Sequence, residues 1–306
     1  MRDPPTLSAT GSKSPTMSPE GVPEQRIRRV PFELSLASRG PLRGDIREGR
    51  ISSAIVVCHG FKGFKDWGFF PYLADRLAAG TGAMVISFNF SGCGIGPDLE
   101  SFTDIEGFAR NTFSREVADL EAILDGLRAG RLGDARLDPP DSVGVIGHSR
   151  GAAASILVGA RRPEVGAVVT WAGIGSVFRY EDWFAESLGD GDEMEVLNAR
   201  TGQRLPLYRD VLDDLRSNRA ALDMESAARL LGPALLIVHG TEDEAVPVAE
   251  AHALHRAAGE SELAIIDGAG HTMDASHPFP GTNPRLDEAV RRTVSHFGRR
   301  MAKEKE

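Results

Sequence analysis

Three side chains far apart in the sequence have the types that nucleophilic acyl transfer needs. Ser149 is the centre of Gly147-His148-Ser149-Arg150-Gly151, which follows the apolar run Val143 to Ile146 and opens the small-residue stretch Ala152-Ala153-Ala154. A strand, a very tight turn and a helix in that order expose a central hydroxyl. The positions two before and two after it need glycine, because side chains there would collide. A serine hydroxyl is a poor nucleophile without a base, so the motif calls for an acid and then a histidine later in the chain. Asp243 lies in His239-Gly240-Thr241-Glu242-Asp243, just beyond the apolar run Leu235 to Val238. His271 lies in Asp267-Gly268-Ala269-Gly270-His271, just beyond Leu263 to Ile266. In such a trio the histidine takes the serine proton and the carboxylate holds the imidazole in the right tautomer.

Spacing alone leaves some roles open. Glu242 and Glu244 flank Asp243 and are rival acids. A developing oxyanion needs two N–H donors: one from the residue after the nucleophile, Arg150, and one from a loop after an early strand. His59-Gly60-Phe61-Lys62-Gly63-Phe64 is that loop, with the N–H of Phe61 as the second donor. His59 reads as a support for the loop, and Lys62 and Lys65 as solvent-facing. Phe64, Trp183 and Phe184 are candidates for lining a substrate pocket. The glycines in Gly92-Cys93-Gly94-Ile95-Gly96 have the wrong spacing for a dinucleotide fingerprint and open no helix, so no nucleotide site is expected. No metal-ligand spacing of histidine or cysteine occurs, and neither metal nor cofactor is expected.

The elements that must position these residues form a rhythm. Ile27 to Leu36 and Arg43 to Ile46 alternate around Gly40-Pro41 as an antiparallel hairpin. Short β-branched runs then follow at Ala54 to Cys58, Ala83 to Phe88, Val143 to Ile146, Ala167 to Thr170, Leu235 to Val238 and Leu263 to Ile266. Between them, Tyr72 to Ala79, Thr112 to Leu127, Ala152 to Ala160, Val248 to Ala258 and Arg285 to Arg300 carry apolar residues at helical spacing. Strands apolar on both faces and joined by helices predict an α/β fold with a parallel sheet. Right-handed crossovers gather its strand ends on one edge. The interval between Thr170 and Ala234 is too long for a loop. It predicts a cap, with a hairpin around Thr201-Gly202-Gln203 and a helical run from Tyr208 to Leu230.

The expected organisation is a disordered tail over 1–25, a core over 26–176 and 233–300, a cap over 177–232 and a charged tail over 301–306. A formal charge of −9 offers no positive field for nucleic acid or an anionic membrane, so the expected partner is a small molecule. No apolar run approaches the roughly 20 residues of a membrane span. The only cysteines, Cys58 and Cys93, sit at strand ends and suit a reduced, cytoplasmic setting.

Together, His59-Gly60-Phe61, Gly147-His148-Ser149-Arg150-Gly151, His239-Gly240-Thr241-Glu242-Asp243 and Gly270-His271 closely resemble bacterial α/β-hydrolases of the dienelactone-hydrolase-like and cinnamoyl-esterase-like groups. The resemblance covers Ile27 to Phe297 and is weakest in the cap. It implies a mostly parallel sheet of about eight strands, a cap after the sixth strand, and hydrolysis of carboxylic esters without a cofactor. Dienelactone hydrolases carry cysteine where this chain has Ser149, which moves the expectation toward a general carboxylesterase. Three alternatives share the same residues: a prolyl-oligopeptidase-like peptidase, a thioesterase, and a slow, ligand-binding homologue.

Overall fold

The computed structural model describes residues 27–301. The tail expected over 1–25 and residues 302–306 lie outside the described residues. In chain order the elements are β1 (Arg29–Leu34), β2 (Leu42–Arg47), β3 (Ser53–Cys58), α1 (Phe70–Thr81), β4 (Met84–Asn89), α2 (Ile105–Ala109), α3 (Phe113–Arg128), β5 (Arg131–Leu132), β6 (Ala135–Arg136), β7 (Ser142–His148), α4 (Gly151–Gly159) and β8 (Val165–Trp171). There follow α5 (Glu181–Leu188), β9 (Glu193–Leu197), β10 (Arg204–Tyr208), α6 (Asp210–Ser217), α7 (Met224–Leu231), β11 (Leu235–Gly240), α8 (Val248–Ala258), β12 (Glu262–Ile266) and α9 (Pro284–Arg300).

The main sheet has eight strands in the order β1-β2-β4-β3-β7-β8-β11-β12. β2 runs antiparallel to both β1 and β4, and the remaining neighbours are parallel. Every residue of β3 is buried, because helices cover both faces. Ala54, Val56 and Cys58 pack with the apolar residues of α3, α4 and α8. Ile55 and Val57 point the other way and pack with those of α1 and α9. This alternation is the period of two that a pleated strand imposes. Met301, expected in the charged tail, is instead buried against the α1 and α9 side, because it follows the last turn of α9 directly.

Local chemistry sets the helix starts. The Thr112 hydroxyl accepts the Arg115 N–H at the head of α3, and Asn283 accepts from Arg285 and Leu286 at the head of α9, with Pro284 in the first turn. The helical run expected from Tyr208 to Leu230 is divided. α6 ends near Asn218, whose amide donates to Asp214, and Asp223 caps a new helix by accepting the Ser226 N–H. Two residues that bond their own backbone neighbourhood thus interrupt a continuous apolar period. The short α2, capped by Asp104, and the two-residue strands β5 and β6 are too brief to leave a period.

β3 lies at the centre of the sheet and is where its winding reverses. The crossover through α1 leads outward to β4, and the crossover through α3 returns to β7 on the other side of β3. The loops after β3 and β7 therefore diverge above adjacent strand ends, which is where open α/β sheets form a crevice. Lys65, expected in solvent, is buried in the first of these loops. Its ammonium bridges Asp45 of β2 and Asp66 at 2.6 Å each, and its N–H donates to Asn89 Oδ1 at 2.7 Å. Behind β8, the Trp171 indole N–H donates to Thr293 Oγ1 of α9 at 2.8 Å. Thr293→Val keeps the shape and strands the buried indole donor, so stability is expected to fall by about 2 kcal/mol. Urea unfolding measures this, and an unchanged midpoint would mean that the indole finds another acceptor.

Candidate active site

β7 ends in a turn that lifts one side chain clear of the sheet. Ser149 holds φ at 55°, a left-handed conformation that is strained for a residue with a Cβ. A methyl group at Gly147 would come within 2.3 Å of the Gly151 carbonyl oxygen, and one at Gly151 within 2.4 Å of the His59 carbonyl oxygen. Only glycine permits so tight a turn between β7 and α4. The Ser149 N–H is held by the Trp171 carbonyl at 2.9 Å, and its own carbonyl accepts from Ala152 at 3.1 Å.

Asp243 follows β11, one strand beyond β8. Its Oδ1 accepts the N–H groups of Ala245 and Val246 at 2.9 and 2.8 Å, so the loop curls around the carboxylate. Glu242 and Glu244, the rival acids, both face solvent. His239 Nε2 lies 2.8 Å from the Val246 carbonyl and 3.3 Å from Asp243 Oδ2. Because both neighbours only accept, that nitrogen carries the proton. Burial pushes the Asp243 carboxyl up, but the bonds from His239, His271 and the Val246 N–H outweigh it and hold the group well below the usual carboxylate range.

His271 follows β12, three strands from β7, so its loop must return across roughly 14 Å at 4.8 Å per strand. It does so: Nδ1 lies 2.8 Å from Asp243 Oδ2, and Nε2 lies 3.0 Å from Ser149 Oγ. Contacts on both sides of His271 help to pin the returning loop. Asp274 Oδ1 accepts the Gly270 N–H at 3.0 Å, and His148 Nε2–H donates to the His271 carbonyl at 2.9 Å. His148 is packed against Phe69 and Phe70, and burial followed by the nearby His271 pulls it down to about 3, so it stays neutral. A serine hydroxyl, an imidazole and an ionised carboxylate in series can move one proton from the hydroxyl to the ring and back.

The loop after β3 comes alongside. A methyl group on Gly60 would touch Ser149 Cβ at 3.0 Å and the His148 carbonyl oxygen at 3.1 Å, so the backbone leading into Phe61 lies against the elbow. Among the described residues, neither the Phe61 nor the Arg150 N–H donates to a protein acceptor. His59 supports the loop, with Nδ1–H on the Gly60 carbonyl at 2.9 Å and Nε2 accepting from Phe90 at 3.2 Å. Burial lowers it to about 4, outside any role as a base near neutrality. The Cys58 and Cys93 thiols are buried, and burial pushes each up to about 12. Among the described residues, no group of His, Cys, Asp and Glu could hold a metal, and no helix is long and apolar enough to cross a membrane.

A family model described as "Alpha/beta hydrolase family" matches residues 55–283, the span that carries all three strand-end loops. The chain belongs to the α/β-hydrolase family. A search of curated protein sequences gives no significant match. Among solved structures, this α/β-hydrolase is similar to Est1E from Butyrivibrio proteoclasticus, with 17% identity, a TM-score of 0.65, and 89% of this chain and 99% of that one covered. It is similar to the esterase domain of a Rhodothermus marinus protein at 20% identity and TM-score 0.61, covering 91% and 100%. It is also similar to dienelactone hydrolase from Anabaena variabilis at 16% identity and TM-score 0.59, covering 90% and 99%.

Beside the elbow of this α/β-hydrolase, the segment between β8 and β11 helps wall a pocket of about 500 Å³. Phe61, Tyr180, Trp183, Phe184, Val196 and Leu197 supply its apolar walls. Two of the expected lining residues, Trp183 and Phe184, are there. Phe64 is not: it is buried in the core beneath, packed edge-on to His277 and under Arg200. Residue spacing also missed the side chains of Lys62 and Arg150, both of which reach this pocket. The elbow motif fixes the backbone N–H of Arg150 and not its side chain, so the motif gave no signal for it. His148→Phe would keep the aromatic packing but release the His271 carbonyl. Amide exchange over residues 268–274 is then expected to speed up about tenfold, the effect of one lost bond. Unchanged exchange there would mean that the loop is held by its other contacts alone.

Proposed function

We propose that this α/β-hydrolase cleaves carboxylic esters of small molecules through an acyl-enzyme on Ser149. The observation that carries this is the unbroken series Ser149 Oγ, His271 Nε2, His271 Nδ1 and Asp243, joined at 3.0 and 2.8 Å. Family membership and the esterase neighbours support the same reading.

His271 takes the proton from Ser149 Oγ as the oxygen bonds to the ester carbonyl carbon. The electron pair of the carbonyl moves onto its oxygen, where the N–H groups of Phe61 and Arg150 and the N-terminus of α4 stabilise the charge. When the carbonyl re-forms, the bond to the alkoxy group breaks and the alcohol leaves with the proton held by His271. Water then gives a proton to His271, attacks the acyl carbon, and the same sequence returns Ser149 and releases the acid. Asp243 stays ionised throughout and stabilises each imidazolium, so protons and electron pairs balance without a cofactor.

Ser149→Ala should lower turnover of short p-nitrophenyl esters by at least about a thousandfold with the circular dichroism spectrum unchanged. A fluorophosphonate should label the parent protein at Ser149. Retained turnover, or a label elsewhere, would sink the assignment.

A further inference from the structure

The pocket beside Ser149 has a charge that its walls do not balance. Arg150 is buried, and Glu116 occupies only one side of its guanidinium, with both carboxylate oxygens on Nε at 2.9 and 3.0 Å. Nη2 is buried with no partner. Arg150 and Glu116 cancel in charge, yet a strong donor is left unpartnered on a residue that lines the pocket. The ammonium of Lys62 donates to the Leu197 carbonyl at 3.0 Å, which leaves two of its protons free. Among the described residues, no carboxylate pairs with it. The pocket's own acid, Glu195, faces Arg204 at the exposed rim at 3.5 Å. Burial lowers the Lys62 ammonium from its ordinary value, as expected for a cation drawn partly out of water without a counter-charge.

Both cations lie close to one ring. The Lys62 ammonium is 5.6 Å, and the Arg150 guanidinium 5.4 Å, from the centre of the Phe61 ring. Phe61 and Arg150 are also the residues whose N–H groups face the proposed oxyanion, so the cations are anchored to the reaction centre. Lys62 holds φ at 56°, a left-handed conformation that is strained for a residue with a Cβ. The loop bears this strain while directing a lysine at the pocket.

We propose that the pocket selects esters whose acyl chain ends in a carboxylate, received by the Lys62 ammonium and the Arg150 guanidinium. One carboxylate neutralises the uncompensated lysine, meets a guanidinium that Glu116 holds on one side only, and leaves a methylene chain against the aromatic walls. The preferred substrates are therefore half-esters of dicarboxylic acids, cleaved by the chemistry proposed above. This inference rests on that reading of Ser149.

The test compares monomethyl adipate with methyl hexanoate, which have the same chain and differ in a terminal carboxylate against a methyl. The longer pair, monomethyl suberate and methyl octanoate, covers chain length. The half-ester should have the higher kcat/KM by about tenfold, the effect of a charge-assisted hydrogen bond. The difference should appear mainly in KM. Lys62→Met should lower the ratio of the two kcat/KM values by about the same factor. Removing Arg150 alone would strand the Glu116 charge, so its share is read from the paired replacement of Arg150→Met with Glu116→Leu, which exchanges an ion pair for apolar volume. That variant should lower the ratio as well. Equal or better turnover of the neutral ester by the parent protein, or a ratio unmoved by Lys62→Met, would overturn the inference and leave the hydrolase reading intact. A ratio unmoved by the paired replacement would remove Arg150 from the contact and overturn the two-cation site. Failure to cleave any ester, together with no fluorophosphonate label, would remove the hydrolase reading and this inference with it.

Discussion

The backbone at Ser149 carries a conformation that a serine does not adopt freely, and neighbouring structure must hold it there. Its φ of 55° is fixed on one side by β7, paired to β3 and β8, and on the other by α4, whose apolar residues are wholly buried. The Trp171 carbonyl ties the Ser149 N–H to the end of β8, and Trp171 is itself fixed to α9 through Thr293. A strain of order 1–3 kcal/mol is small against the burial of two helices and three strands. The consequence is geometric: the hydroxyl has few directions open to it, and one of them meets His271.

The same economy governs the charges. Asp243 is ionised in a buried position because three N–H groups and an imidazole converge on it, so its charge is fixed where an imidazolium would form. Other buried titratable groups are neutral: His148, His59 and both cysteines are held in forms that carry no charge near neutrality. Lys65, in the loop after β3, and Arg47, at the end of β2, are balanced by Asp45, Asp66 and Asp75. Among the described residues, these buried charges are paired within the scaffold, whereas Lys62 at the pocket has no carboxylate partner.

Much of this organisation was legible in the amino-acid order. Short, β-branched apolar runs such as Ala54 to Cys58 fit strands covered on both faces, and the helices between them leave a period of about 3.6. The elbow was legible because steric crowding restricts its composition: glycine at 147 and 151 leaves a pattern that survives without any knowledge of the fold. The order of Ser149, Asp243 and His271 was legible because each follows its own strand. What failed did so for definable reasons. Lys65 looked solvent-facing because lysine usually is, and nothing nearby in sequence revealed that Asp45 waits on β2. Phe64 looked like pocket lining because loop and core aromatics are alike as letters. The run from Tyr208 to Leu230 hid a break because Asn218 and Asp223 act through side-chain bonds that periodicity does not register.

The sequence by itself determined the kinds of element, their order and the residue types at each strand end, since these depend on local sterics and on apolar period. Tertiary structure alone decided which of Glu242, Asp243 and Glu244 turns inward, how the His271 loop recrosses three strands, and which side chains wall the pocket. The last two outcomes depend on contacts between residues more than a hundred positions apart, such as His148 with the His271 carbonyl and Lys62 with the Leu197 carbonyl. Such contacts have no signature in spacing, because the distance that matters is set by the packing of the sheet and not by the length of chain between them.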